Sequence, residues 1–312
     1  MREKQLMIGI PTKDHPRYIQ FYLSKVLDVA REYGIDLHIY DSSETNLTEN
    51  IIYKRIESGY SNLYYHRYDA GLAPEKKIKD IFVGSGYEYV WLCGDGVVLD
   101  LENILPFVIR EMKQNRDLIA FNCIDGKGRY TQYDDPIKLI LEQWVSIALY
   151  GGTIYKGELF SGQEWDRLFP LYTANIPLAG TFDILSRKTI NVVSVDTWFC
   201  VHSVYKEEST WITDGRLLQA VVDDMPAAVN NLPHRYDPVK KTVAKLFSSG
   251  RDMLLAPNIW WLRTTNNVTP QKVIKYRKQL REITDTNYLL FLGGSFVSKK
   301  IAKKLSNIFS YA

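Results

Sequence analysis

The first half of the chain alternates short apolar runs with stretches in which apolar residues recur every three to four positions. Residues 6–10 form an apolar run ending in Pro11-Thr12 and read as a strand. Residues 17–33 then carry Tyr18, Phe21, Tyr22, Val26 and Leu27 at helical spacing, stopped by Gly34. The alternation repeats with a strand at 36–40, the polar turn Asp41-Ser42-Ser43, a helix over 48–55 and a strand at 63–68. A turn at 69–72 and a basic helix over 75–83 follow. The uncharged run 89–93 predicts a strand buried on both faces. It leads into Gly94-Asp95-Gly96, a turn that sets one carboxylate at the carboxyl end of that strand, where open α/β sheets hold ligands. Strands and helices alternating at this spacing predict an α/β, doubly wound, largely parallel sheet.

Beyond that turn the pattern predicts a helix over 101–114, a strand at 118–123, a helix over 164–171, a strand over 192–201 and a helix over 214–222. Residues 134–150 fit either a helix or a strand boundary, and Gly151-Gly152 reads as a tight turn that lets substrate approach the backbone. From about Pro233 the character changes to a Trp260-Trp261 pair and two basic helices, over 271–283 and 297–309. The expected organisation is a catalytic domain over 1–230, with halves 1–130 and 131–230, and a mostly helical extension over 231–312.

Composition narrows the function classes. The 312 residues are 46% hydrophobic with a net charge of +3, a globular balance that is too weakly basic to argue for nucleic acid. Cys93, Cys123 and Cys200 are too far apart for a zinc knuckle and read as reduced core residues. No apolar run approaches ~20 residues and the opening segment does not read as a signal peptide, so a cytoplasmic location is expected. A nicotinamide-dependent oxidoreductase would need a glycine-rich turn after the first strand, which IGIPTKDHP lacks. His15, His38, His66 and His234 show no pairing in the sequence that suggests a metal site.

The succession IGIPTKDHPRYIQFYLSKVL, IYDSS, YDAGLAPEKKI and YVWLCGDGV resembles the amino-terminal half of family 2 glycosyltransferases, enzymes with the Rossmann-like GT-A fold. The resemblance implies a mostly parallel sheet sandwiched by helices. It also implies that Pro11 and Thr12 border a nucleotide pocket, with Asp41 and Ser43 at the base and Lys76 or Lys77 at the diphosphate. A uracil imide N–H is a suitable donor to a carboxylate such as Asp41. Gly94, Asp95 and Gly96 stand where the family has two or three acidic residues that hold Mn²⁺ or Mg²⁺, so the expected site is either a metal held by the single carboxylate with phosphate and water oxygens and His202 as a second protein ligand, or one in which lysine or arginine takes the place of the metal. Asp183, with Asp196 as second choice, is expected as the general base of an inverting transfer. The implied partners are a nucleotide-sugar donor, UDP-linked, and a glycan, glycoprotein or lipid-linked acceptor; a homo-oligomer is compatible. A catalytically silent homologue that binds sugar nucleotide or partners a working transferase is the alternative, supported by the lone Asp95.

The tail calls for a separate reading. Residues 297–309, VSKKIAKKLSNIF, alternate lysine pairs with Val297, Ile301, Leu305, Ile308 and Phe309 on one helical face. Such a helix suits an anionic membrane surface, through 297–311, or packing on its own domain or on a second subunit.

Overall fold

A computed structural model describes residues 5–122, 126–201, 215–249 and 253–309. Cys123 and His202 fall outside these. The chain forms two compact units, 1–136 with 146–206, and 137–145 with 207–312.

Among the described residues the first unit carries ten strands: β1 (Leu6–Thr12), β2 (Asp36–Asp41), β3 (Leu63–Arg67), β4 (Tyr89–Leu92), β5 (Val98–Leu99), β6 (Leu118–Phe121), β7 (Tyr130–Tyr133), β8 (Thr153–Lys156), β9 (Val192–Val195) and β10 (Cys200–Val201). Eight make one sheet in the order β3-β2-β1-β4-β8-β6-β9-β7, and β5 pairs separately with β10. Pairing is parallel along β3-β2-β1-β4 and between β6 and β9, and antiparallel where β8 and β7 join. Six strands therefore share one direction, as the alternation predicts. All four residues of β4 are buried.

The helices over this stretch of the chain are α1 (Pro16–Tyr33), α2 (Leu47–Glu57), α3 (Pro74–Phe82), α4 (Leu101–Met112), α5 (Pro136–Ile147), α6 (Gly162–Tyr172) and α7 (Thr181–Leu185), of which α5 belongs through 137–145 to the second unit. Proline at the first position starts α1, which buries Tyr18, Ile19, Tyr22, Leu23, Val26, Leu27 and Ala30, one apolar stripe. This stripe shares a core with Ile8 and Ile10 of β1, Leu37 and Ile39 of β2, and Trp91. Gly9 points to the opposite face, where a Cβ would lie 2.6 Å from Ile81 Cγ2 of α3. Glycine is thus what lets α3 sit close against β1. Phe82 of α3 continues into an aromatic cluster with Phe160, 4.9 Å between ring centroids, and Trp165.

One predicted segment divides and one ambiguous stretch resolves. The strand expected over 192–201 breaks into β9 and β10, because Asp196 turns the chain away to bond with Gly126 and Arg129. The ambiguous stretch 134–150 is helical over α5.

The second unit is helical, as expected of the extension. α8 (Leu217–Gln219) passes through a π-turn into α9 (Met225–Asn230), followed by α10 (Lys240–Ser249), α11 (Ile259–Thr264), α12 (Pro270–Lys275), α13 (Arg277–Ile283), α14 (Tyr288–Phe296) and α15 (Lys299–Phe309). The basic helix predicted near 271–283 is two helices, broken at buried Tyr276. Leu262, Val268, Val273, Leu280 and Phe291 are fully buried and form its interior. Thr269 and Asn287 cap α12 and α14 by accepting from Lys272 N and Leu289 N. No helix among the described residues is long and apolar enough to cross a membrane.

Candidate functional site

The parallel register sets Thr12 of β1 opposite Asp41 of β2, and Asp41 opposite Arg67 of β3. Three polar side chains thus stand abreast at the carboxyl ends of adjacent strands. The turn after β4 adds Asp95 to this row. Thr12 Oγ1 donates to Asp95 Oδ2 at 2.7 Å, and His15 Nδ1 lies 2.9 Å from the same oxygen. Gly94 and Gly96 flank the carboxylate without contributing side chains; a Cβ on Gly96 would reach 3.4 Å from the Tyr18 ring.

The loops beyond the strands are strapped to one another. Asp14 N donates to Ser43 Oγ at 2.7 Å, and Glu44 N donates to Asp14 Oδ1 at 2.8 Å. Lys13 Nζ reaches Ala70 O at 2.9 Å. Lys77, on the first turns of α3, is buried and donates to Thr12 O at 2.8 Å and Ser42 Oγ at 2.7 Å. Burial pulls the Lys77 ammonium below the usual lysine range, while the Asp41 and Asp95 carboxylates pull the other way. Lys76 is exposed, so of the two lysines only Lys77 is built into the row.

Asp41 has none of its surface exposed. Its Oδ1 accepts from Ser43 N at 2.8 Å and from Ser43 Oγ, and its Oδ2 from Tyr65 OH at 2.9 Å and Arg67 Nη1 at 3.2 Å. Arg67 Nη2 also donates to Ser43 O at 2.7 Å. So engaged, Asp41 shapes the cleft beside it and offers no free oxygen to a base. That cleft, about 500 Å³, is lined by Ser43, Arg67, Tyr68 and Leu72 among others, a size suited to a small ligand.

The two predicted bases differ in company. Asp183 in α7 is 4% exposed; it accepts from Arg167 Nη2 at 2.6 Å and Tyr172 OH at 2.9 Å, with Arg187 Nε 3.4 Å away. These partners lie in or next to α6 and α7, and the bonds tie those helices together. Asp196 follows β9, whose direction is that of β1 and β4, and so stands on the same carboxyl edge as Thr12 and Asp95. It accepts from Arg129 Nη2 at 3.1 Å and Gly126 N at 3.2 Å. Gly151 serves the protein's own packing: its N–H donates to Leu92 O, its O accepts from Trp91 Nε1, and a Cβ would meet Val97 at 2.9 Å. The close approach there is to the chain's own groups, side chains at Gly151 and the backbone carbonyl Ser146 O at the neighbouring Gly152.

Other pairings were not visible in the sequence. His15 meets Asp95 across 80 positions, His38 Nδ1 lies 2.9 Å from His66 Nε2, and His234 pairs with Asp237. Arg67 and Tyr65 could have been found: both follow from the two-residue period of β3 and its parallel pairing with β2.

Among the described residues no three His, Cys, Asp or Glu gather into a metal cluster. Asp95 alone fits a hard cation, because both its hydrogen bonds fall on Oδ2 and leave Oδ1 as an oxygen donor. A divalent ion held by one carboxylate with phosphate and water oxygens is an accepted Mg²⁺ arrangement.

The fold is the GT-A type. The chain resembles S. aureus TarS 1–349 (TM-score 0.53, 10% identity, 99% of this chain and 93% of that one). It also resembles the mannosyltransferase PcManGT of Pyrobaculum calidifontis, solved with GDP-Man and Mn²⁺ (TM-score 0.51, 14% identity, 100% and 89%). No protein-family model and no curated protein matches the sequence.

Proposed function

We propose that the first unit transfers a sugar from a nucleotide donor, UDP-linked, to a glycan, glycoprotein or lipid-linked acceptor with inversion. The observation that carries this reading is the Thr12–Asp95–His15 contact standing abreast of Asp41 and Arg67 at the carboxyl edge of the sheet. The GT-A fold supports it.

In this reading the nucleoside lies in the cleft by Ser43 and Arg67, whose positions Asp41 fixes. Pro11 and Thr12 border the diphosphate. Lys77 acts from below, by holding the Thr12 carbonyl and Ser42, and Lys76 is free to reach the phosphates from outside. Mn²⁺ or Mg²⁺ held by Asp95 would supply charge neutralisation at the leaving diphosphate. Asp196 takes the proton of the acceptor hydroxyl as that oxygen attacks the anomeric carbon opposite the departing nucleoside diphosphate, which gives inversion.

Calorimetry of UDP and GDP, each with Mn²⁺ and with chelator, tests the proposal. UDP should bind more tightly than GDP and more tightly with metal. Asp95→Ala should lose the metal-dependent increment and slow UDP release from UDP-sugars on the order of 100-fold, about 3 kcal/mol. Binding of neither nucleotide overturns the reading. The lone Asp95 between glycines favours one second reading, a silent homologue, for which nucleotide would bind without any sugar transfer.

A further inference from the structure

The last helices present a surface that the transfer reaction does not use. Leu289, Leu290, Phe296, Ile301, Ile308 and Phe309 are all exposed, at 51–70%. They are the most concentrated set of exposed large apolar side chains among the described residues, six within 21 positions. The same stretch is one-signed: from residue 286 to the end the chain carries four lysines and no aspartate or glutamate. Lys299, Lys300, Lys303 and Lys304 are all exposed.

α15 packs on α11 and on the turn at 256–258, and its small residue Ala302 is fully buried. That contact leaves the stripe Ile301, Ile308 and Phe309, at i, i+7 and i+8, open to solvent. The sequence left packing and surface binding as alternatives, and the apolar arc of α15 is buried at Ala302 while it stays exposed at Ile301, Ile308 and Phe309. A stripe of Ile and Phe bordered by lysines matches a bilayer interface, with hydrocarbon for one group and anionic headgroups for the other. At 11 residues, roughly 16 Å, α15 is too short to span a ~30 Å hydrocarbon core and would lie flat. A second copy is a poor match, because a two-fold interface would bring the same four lysines together from both sides.

We infer that α15, together with Phe296 and Leu289-Leu290 of α14, docks the protein on an anionic phospholipid bilayer. The inference stands apart from the proposed transfer, since vesicle binding is measured with no nucleotide present. The full chain is sedimented with extruded phosphatidylcholine vesicles, with and without 30% phosphatidylserine, over a range of NaCl concentrations. Binding should need phosphatidylserine and fall steeply with salt. Exchanging the four lysines of α15 for glutamine should weaken partitioning roughly 100-fold or more, at about fivefold per charge removed. Ile308→Ser with Phe309→Ser should weaken it at least tenfold; both sites are exposed, and circular dichroism checks that the fold is kept. Equal binding to both vesicle types, no binding, an unaffected Ile308/Phe309 variant, or self-association by sedimentation equilibrium in place of vesicle binding would each overturn the inference.

Discussion

Asp183 and Asp196 are buried to the same degree, yet they face different demands. Asp183 holds Arg167 and Tyr172 together, and losing its charge leaves those donors poorly matched. Asp196 has the exposed Arg129 and the Gly126 N–H among its partners, on the edge where substrate is proposed to sit. Asp196→Asn should therefore lower turnover roughly 100-fold or more with UDP affinity within about twofold of the parent. Asp183→Asn should instead cost about 2 kcal/mol of stability and leave turnover per folded molecule nearly intact. Steady-state UDP release beside urea unfolding separates the two, and the reverse pattern would return the base to Asp183. At this scale the sequence was informative where a residue sits in a recognisable turn, as Asp41, Ser43 and Asp95 do. It was silent on His15, because a partner 80 positions away leaves no local spacing to read.

Elements were legible in proportion to how fully they are buried. β4 and the first residues of β1 read as uninterrupted apolar runs because both faces are covered, whereas β2, DLHIYD, is buried along most of its length yet carries His38 in its middle. β7 escaped notice: it is an edge strand of YTQY in which only Tyr133 is buried, so no apolar alternation marks it. The start of β6 depends on a charged cluster that pattern alone does not reveal. Glu111 at the end of α4 accepts from Arg110 Nε at 2.9 Å, Arg116 Nε at 3.0 Å and Tyr130 OH at 3.0 Å. Burial pushes the Glu111 carboxyl up, but these donors outweigh it and hold it below the usual glutamate range. A carboxyl depressed in the fold contributes stability that is present above the unfolded value near 4.5 and lost as pH falls through the lower folded value. Thermal unfolding from pH 7 to pH 3 should show that loss. Glu111→Gln should cost about 3 kcal/mol at neutral pH and show a shallower decline below pH 4.5; an identical pH profile would contradict the role given to this cluster.

Across the whole molecule, the proposed donor site draws on loops from four strands of the first unit, whereas the lysine-rich surface lies in the second. Hydrogen exchange with UDP and Mn²⁺ should slow amides at 12–15, 42–45, 67–72 and 94–97 and leave 286–309 unchanged. Ligand-induced protection confined to the tail would contradict this assignment. UDP at about 100 times its dissociation constant should also raise stability by about 2.7 kcal/mol. The α/β class and the helical ending were legible because they depend on periodicity, while the shape of the site depends on which strand ends become neighbours. That adjacency also limits how such a protein can change. One parallel register pairs Ile8 with Leu37 and Leu37 with Leu63 inside, and Thr12 with Asp41 and Asp41 with Arg67 at the rim. A one-residue slip would turn core side chains outward as it rearranged the rim. Descendants of this chain can therefore acquire a new donor preference only through the loops beyond the strands, with the frame inherited unchanged.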